Sequence, residues 1–201
     1  MGRVKTRLSR DIGAVGAVQF YRHAVGRLLH RLHAPREWTL HLAVNAGAQE
    51  NYVCWPQHAW QMSQGSGSLG DRMNFVLDNL PPGPALIIGT DSPQIEPPQI
   101  RQAFTALGTA DAVFGPSDDG GYWMIGMARR RPAPYLFEDV AWSTETALED
   151  TIASLPEAFR VRQLGMLTDV DNRPDLMALR REWGELRYGP WQKRSAPAAS
   201  A

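Results

Sequence analysis

The sequence has a single cysteine, Cys54, in 201 residues. It cannot form an internal disulfide or a cysteine-built metal cluster, so nothing points to an oxidising compartment. Net charge is also missing: 21 Lys plus Arg balance 21 Asp plus Glu. This argues against bulk attraction to nucleic acid or an anionic membrane, while leaving room for a local basic patch that grips a small phosphate ligand. No run of about 18 apolar residues exists to span a bilayer as a helix. The basic start MGRVKTRL lacks the apolar core of a secretory signal. His23, His30, His33, His41 and His58 show no metal-ligand spacing. The phosphate loop G-x-x-x-x-G-K-S/T, the nucleophile elbow G-x-S-x-G and a Ser-His-Asp set are absent as well. A cytoplasmic location follows as the expectation, with neither nucleic acid nor membrane as partner.

Hydrophobic residues make up 43% and charged residues 21%, the balance of a globular chain. The length suits one domain, expected over residues 1–190, with the small-residue end at 191–201 expected to be a disordered tail. Apolar positions at Val15, Val18, Val25, Leu28, Leu29 and Leu32 recur with helical spacing and predict a helix over 14–33. WTLHLAV at 38–44 alternates and predicts a strand. Residues 48–68 carry no clear period. The spacing of Leu69, Met73, Val76, Leu77 and Leu80 predicts a helix that Pro81-Pro82-Gly83 stops. ALIIG at 85–89 is a short continuous apolar run, as expected of a strand buried on both faces of a parallel sheet. A helix is predicted from Pro97-Pro98 through Leu107, strands over 112–115, 122–127 and 159–164, and helices over 144–155 and 174–186. This alternation predicts an open α/β sheet with helices on both faces.

In such a sheet ligands bind beyond the carboxyl ends of the strands. The residues after the apolar runs are accordingly informative: Thr90-Asp91-Ser92-Pro93, then Pro116-Ser117-Asp118-Asp119-Gly120-Gly121, then Asp169-Val170-Asp171. Carboxylates gathered in one crevice repel one another unless a cation relieves them. Oxygen ligands without His or Cys suit Mg²⁺ or Mn²⁺. Asp91, Asp169 and Asp171 are the candidate ligands; in extended chain the last two lie on one side, about 7 Å apart. The plainer alternative is that each Asp caps a helix or shapes a turn. Arg3, Lys5 and Arg7 alternate, so an extended loop would point them one way beside the Thr6 hydroxyl. Ahead of a helix they would make a grip for a di- or triphosphate, or else a solvated basic arm. QGSGSLGDRM at 64–73 is a glycine-rich loop entering a helix. Gly70 would allow close approach and Arg72 a bidentate contact to an anion, unless the loop is a flexible connector. Thr90 joins this nucleotide-facing set. Asp119-Gly120-Gly121-Tyr122-Trp123 and Trp142-Ser143-Thr144 suggest a tight turn facing a substrate with aromatic walls; for Trp123 the alternative is core packing.

Taken in order, GRVKTRL, QGSGSLGDRM, GTDSPQI, GPSDDGGYWMIG, WSTETAL and DVDNRPDL resemble bacterial GT-A-type glycosyltransferases named for arsenosugar biosynthesis. These stand in the nucleotide-diphospho-sugar transferase superfamily beside the molybdenum-cofactor and coenzyme F420 nucleotidyltransferases. The resemblance implies a Rossmann-like GT-A fold that binds a nucleotide sugar or nucleoside triphosphate with Mg²⁺ or Mn²⁺ and transfers a group to a small-molecule acceptor. It implies Lys5, Arg7 and Asp91 as catalytic residues, with the phosphate facing the VKTRL block and the metal facing Asp91 and the DVD block. Asp118 stands where the family usually has Glu. The family carries an apolar strand before GRVKTRL, whereas this chain begins at that block. Two unpaired strand edges, and homo-oligomer formation through the gap, are the expectations.

Overall fold

The computed structural model describes residues 6–45, 59–130, 135–168, 170, 172, 174–177 and 179, with residues 6 and 7 described in backbone only. The elements run α1 (Thr6–Arg31), β1 (His41–Val44), β2 (Trp60–Ser63), α2 (Leu69–Asn79), β3 (Ala85–Ile88), α3 (Pro97–Leu107), β4 (Ala112–Pro116), β5 (Tyr122–Met127), α4 (Ala147–Ala153) and β6 (Val161–Gln163). Residues 174–177 and 179 are helical as well. The predicted tail at 191–201 lies outside the described residues, and among those described no helix is long and apolar enough to cross a membrane.

The α/β reading holds: open sheets carry helices on both faces. The larger sheet has the order β3-β5-β4-β6. β4 and β6 are parallel, while β5 runs antiparallel to both β3 and β4. The ALIIG run was expected between parallel neighbours, and the structure corrects this. Its only partner among the described strands is the antiparallel β5, and Leu86, Ile87 and Ile88 are half-buried. An apolar run records burial, not the direction of its neighbour. A second sheet pairs β1 and β2 in parallel, and β2 is an element the sequence did not announce. Its WQMS residues show no buried face, and Trp60 is 66% exposed. Among the described residues β1 and β3 each pair along one edge, and no ladder joins the two sheets.

Side chains alternate along β3 and β4 between two layers. Leu86, Ile88 and Val113 pack with Leu28 of α1, Leu32 just beyond its end, and Ile100, Ala103 and Leu107 of α3. Ala85, Ile87, Ala112 and Phe114 pack with Met73 and Leu77 of α2 and Leu148 and Ile152 of α4. The register shifts between Gly115 and Pro116, and the neighbours Trp123 and Met124 both enter the first layer. Gly115 is obligatory there, because a Cβ would stand 2.2 Å from the Trp123 ring. A third cluster joins Leu8, Phe20 and Ala24 of α1 to Val170, Leu176 and Leu179.

The long first helix is broken at Gly13, whose φ of 76° and ψ of 157° are not helical. The predicted helix at 14–33 is its second part. The first part puts Thr6 and Arg7 in helical backbone, so the extended arm expected at Arg3, Lys5 and Arg7 does not include Arg7. Arg3, Lys5 and the side chains of Thr6 and Arg7 lie outside the described residues.

Candidate functional site

β3, β4 and β6 run the same way, so their carboxyl ends open on one edge of the sheet. At the β3 exit, the Gly89 N–H continues the ladder to the Trp123 carbonyl at 2.9 Å. The turn that follows is held from two sides. From α1, Arg31 Nη1 donates to the carbonyls of Pro93 (2.8 Å) and Ile95 (3.0 Å) and stands 3.2 Å from the Glu96 carboxylate. The Tyr21 and Thr90 hydroxyls lie 3.4 Å apart. From the other side, the Val170 N–H donates to the Asp91 carbonyl at 3.2 Å, and the Gln94 amide donates to the Thr168 carbonyl. The Asp91 residue itself remains exposed. Asp169 and Asp171 lie outside the described residues, yet Val170 between them in sequence is bonded to Asp91. Among the described residues no group of three or more His, Cys, Asp or Glu is placed to hold a metal.

The segment after β6 crosses these exits. Leu164 N–H reaches the Phe114 carbonyl at 2.8 Å and Leu167 N–H the Pro116 carbonyl at 3.0 Å. The Trp123 indole N–H donates to the Gly165 carbonyl at 3.2 Å. At 1% exposure, the Trp123 ring is core beneath the crevice and not an open wall of it.

At the β4 exit, residues 117–121 form a turn closed on itself. Ser117 N–H donates to the Gly121 carbonyl at 3.0 Å, and the Asp119 carboxylate accepts from Gly121 N–H at 2.9 Å. Gly120 has φ of 85°, and a Cβ there would fall 2.1 Å from the Glu145 carbonyl oxygen. The close approach that this glycine permits is to the chain's own 144–148 segment, which returns a bond from Leu148 N–H to the Gly120 carbonyl at 3.0 Å. Asp118 and Asp119 are exposed. Tyr122 packs edge-on against Phe114, with ring centroids 5.4 Å apart, and accepts from Thr151 at 3.4 Å. Burial pushes its phenol up to about 12, so it stays neutral at any ordinary pH. Trp142 is half-buried beside Phe137, at 6.1 Å between centroids. Ser143 is exposed in left-handed backbone at φ of 64°, and Thr144 Oγ1 donates to the Ala141 carbonyl at 2.6 Å.

The start of α2 is different. Ser68 and Asp71 form a reciprocal capping box: Asp71 N–H donates to Ser68 Oγ at 3.1 Å, and Ser68 N–H donates to the Asp71 carboxylate at 2.8 Å. Tyr135 donates to the other Asp71 oxygen. These bonds, that from Tyr135 foremost, hold the Asp71 carboxyl below its ordinary value. Arg72 Nε donates to the Gly67 carbonyl at 3.1 Å. A Cβ on Gly70 would meet Phe137 Cβ at 2.8 Å, so this glycine serves packing. An anion arriving here would have to displace a carboxylate already in place.

Sequence reasoning did not single out Tyr21, Arg31 or Gln94, because their partners are 62 to 74 residues away and no local period reports such contacts. Ser117 stood in a quoted motif, but its hydroxyl was not assigned. It is buried and has no hydrogen-bond partner, like the side-chain oxygen of Gln94.

The crystal structure of a provisionally named nucleotide-diphospho-sugar transferase from Desulfovibrio desulfuricans G20 matches with a TM-score of 0.74 at 28% identity, over 93% of this chain and 84% of that one. Rv0371c from Mycobacterium tuberculosis H37Rv matches more loosely, with a TM-score of 0.49 at 16% identity over 79% and 82% of the two chains. No curated protein matches the sequence. The first likeness gives the chain the fold of the nucleotide-diphospho-sugar transferases. The pattern of one bacterial family, DUF2064, described as an uncharacterized protein conserved in bacteria, matches residues 28–144, more than half of the sequence, and the chain belongs to that family.

Proposed function

We propose that the protein is a metal-dependent transferase that uses a nucleotide-activated donor, transferring a glycosyl group from a nucleotide sugar to a small acceptor. The observation that carries this is the junction of the Asp91 turn with residue 170 at the edge where three strands leave the sheet, in a fold shared with a provisionally named nucleotide-diphospho-sugar transferase. The donor chemistry fits a hard cation. Asp91 is an exposed acidic residue, Thr90 carries a hydroxyl, and Ser117 at the β4 exit has a buried hydroxyl without a partner. Asp91, Asp169 and Asp171 would hold Mg²⁺ or Mn²⁺, which when bound neutralises a departing diphosphate.

The chain's own part is binding and charge stabilisation. Lys5 and Arg7, with Arg3 and Thr6, place cationic and hydroxyl groups for phosphate oxygens whose charge grows as the bond breaks. Thr90 stands beside Asp91 on the donor side. Gly70 and Arg72 act on that side through the shape of the α2 entry, their direct contacts being internal. The acceptor side is given to Asp119 and the Gly120-Gly121 turn, which packs on Glu145, together with Trp142, Ser143 and Thr144. Tyr122 shares a core layer with Trp142 and supports this surface from below, while Trp123 supports the crevice from the other layer.

Calorimetry with UDP, GDP, GTP and CTP, each with and without Mn²⁺, tests the reading. At least one nucleotide is expected to bind with metal-linked heat, and its sugar derivative to release the nucleoside diphosphate on turnover. Pyrophosphate release from a triphosphate would assign nucleotidyl transfer instead. Heat without turnover would make the chain a non-catalytic binder, and no metal-linked heat with any nucleotide would overturn the proposal.

A further inference from the structure

Gln94 lies in the turn between β3 and α3, three residues after Asp91. Its side-chain nitrogen donates to the Thr168 carbonyl. Two residues on, the Val170 N–H reaches the Asp91 carbonyl at 3.2 Å. These two bonds cross one junction in opposite senses: the turn gives a donor at 94 and takes one at 91. Together they fix the register of the Asp91 turn against residues 168 and 170.

The turn does not depend on Gln94 for its own shape. Arg31 holds the carbonyls at 93 and 95, and the β3 ladder runs on to Gly89. The acceptor oxygen of Gln94, moreover, is buried without a hydrogen-bond partner. An unpaired buried carbonyl is a cost that an apolar side chain of similar length would not carry. The bond to Thr168 is set against that cost, so what the amide adds over an apolar side chain is the register of two segments. We propose that Gln94 is a positioning residue: by holding Thr168 it sets where the Asp91 turn stands relative to residue 170, and so tunes the affinity of that corner for a divalent cation. The inference rests on the cation reading of Asp91 and gives Gln94 no contact with the ion.

Gln94→Met keeps the length, removes the donor and removes the unpaired acceptor. Gln94→Glu keeps the shape and offers no donor. Both are compared with the unaltered full chain by melting temperature, by amide hydrogen exchange at Leu167 and Val170 without metal, and by Mn²⁺ affinity from electron paramagnetic resonance. Expected are a Gln94→Met melting temperature within about 2 °C of the unaltered chain, faster exchange at both amides in both variants, and a Mn²⁺ Kd raised about 10-fold in Gln94→Met, the scale of losing an outer partner of a metal site. Unchanged exchange, or faster exchange with unchanged Mn²⁺ affinity, would overturn the role. An unaltered chain that binds no Mn²⁺ would bring down the cation reading itself and the tuning with it. That failure is distinct, because metal-free exchange still reports on the tie to Thr168.

Discussion

The Asp91 turn and the entry to α2 are both loops where a strand gives way to a helix, and both carry an acidic residue, yet they are built in opposite ways. At α2 the restraints are local: Ser68 and Asp71 satisfy one another three residues apart, and Arg72 returns to Gly67. At Asp91 they come from afar, from Tyr21 and Arg31 on α1 and from Val170, while the aspartate residue stays exposed. A loop that consumes its own charge is finished as structure. One that distant elements hold, with its aspartate residue exposed, sets that residue on a rigid frame where ligands bind.

Substitution should separate the two. The largest effect is expected from Asp91→Asn: nucleotide-linked Mn²⁺ binding falls on the order of 100-fold, the upper end of what disturbing a metal's surroundings costs, with melting unchanged. Titration calorimetry beside a thermal melt reads both, and retained affinity would erase the contrast. Ser68→Ala should do the reverse. Losing an N-cap costs about 1 kcal/mol, roughly 2–4 °C in a domain of this size, with Mn²⁺ and nucleotide affinity untouched; a fall in affinity would show that the α2 entry also faces ligand. The smallest effect is in pH. Because the Asp71 carboxyl is held below its ordinary value, the stability it contributes is complete above the ordinary carboxylate range and is lost as pH falls through the lowered value. Asp71→Asn should flatten the acid side of the stability curve and leave neutral pH chemistry alone, as denaturant melts across pH would record.

The sequence made the buried middle of the fold plain. β4 and β5 and helices α2 and α3 stand where their apolar periods put them, because burial of a side chain is written in the residue itself. Pairing is not. Nothing in ALIIG distinguishes an antiparallel neighbour from a parallel one, and WQMS at 60–63 forms β2 with no apolar alternation to announce it. The glycines teach the same lesson. Gly70 and Gly120 were legible as positions of close approach, but what approaches is Phe137 in one case and the Glu145 backbone in the other, and neither could be named without the fold. Asp91 was legible as a carboxylate just beyond a strand. The residues that hold its turn, 60 or more positions away, were not.

The small cluster of Leu8, Phe20 and Ala24 with Val170, Leu176 and Leu179 has a further consequence. It fastens α1 to the helical residues 174–177 and 179, far off in sequence, as a clasp joins two lengths of a belt. Removing either side would leave oily side chains of the other in water, so a version lacking one of them should lose more than the residues cut away.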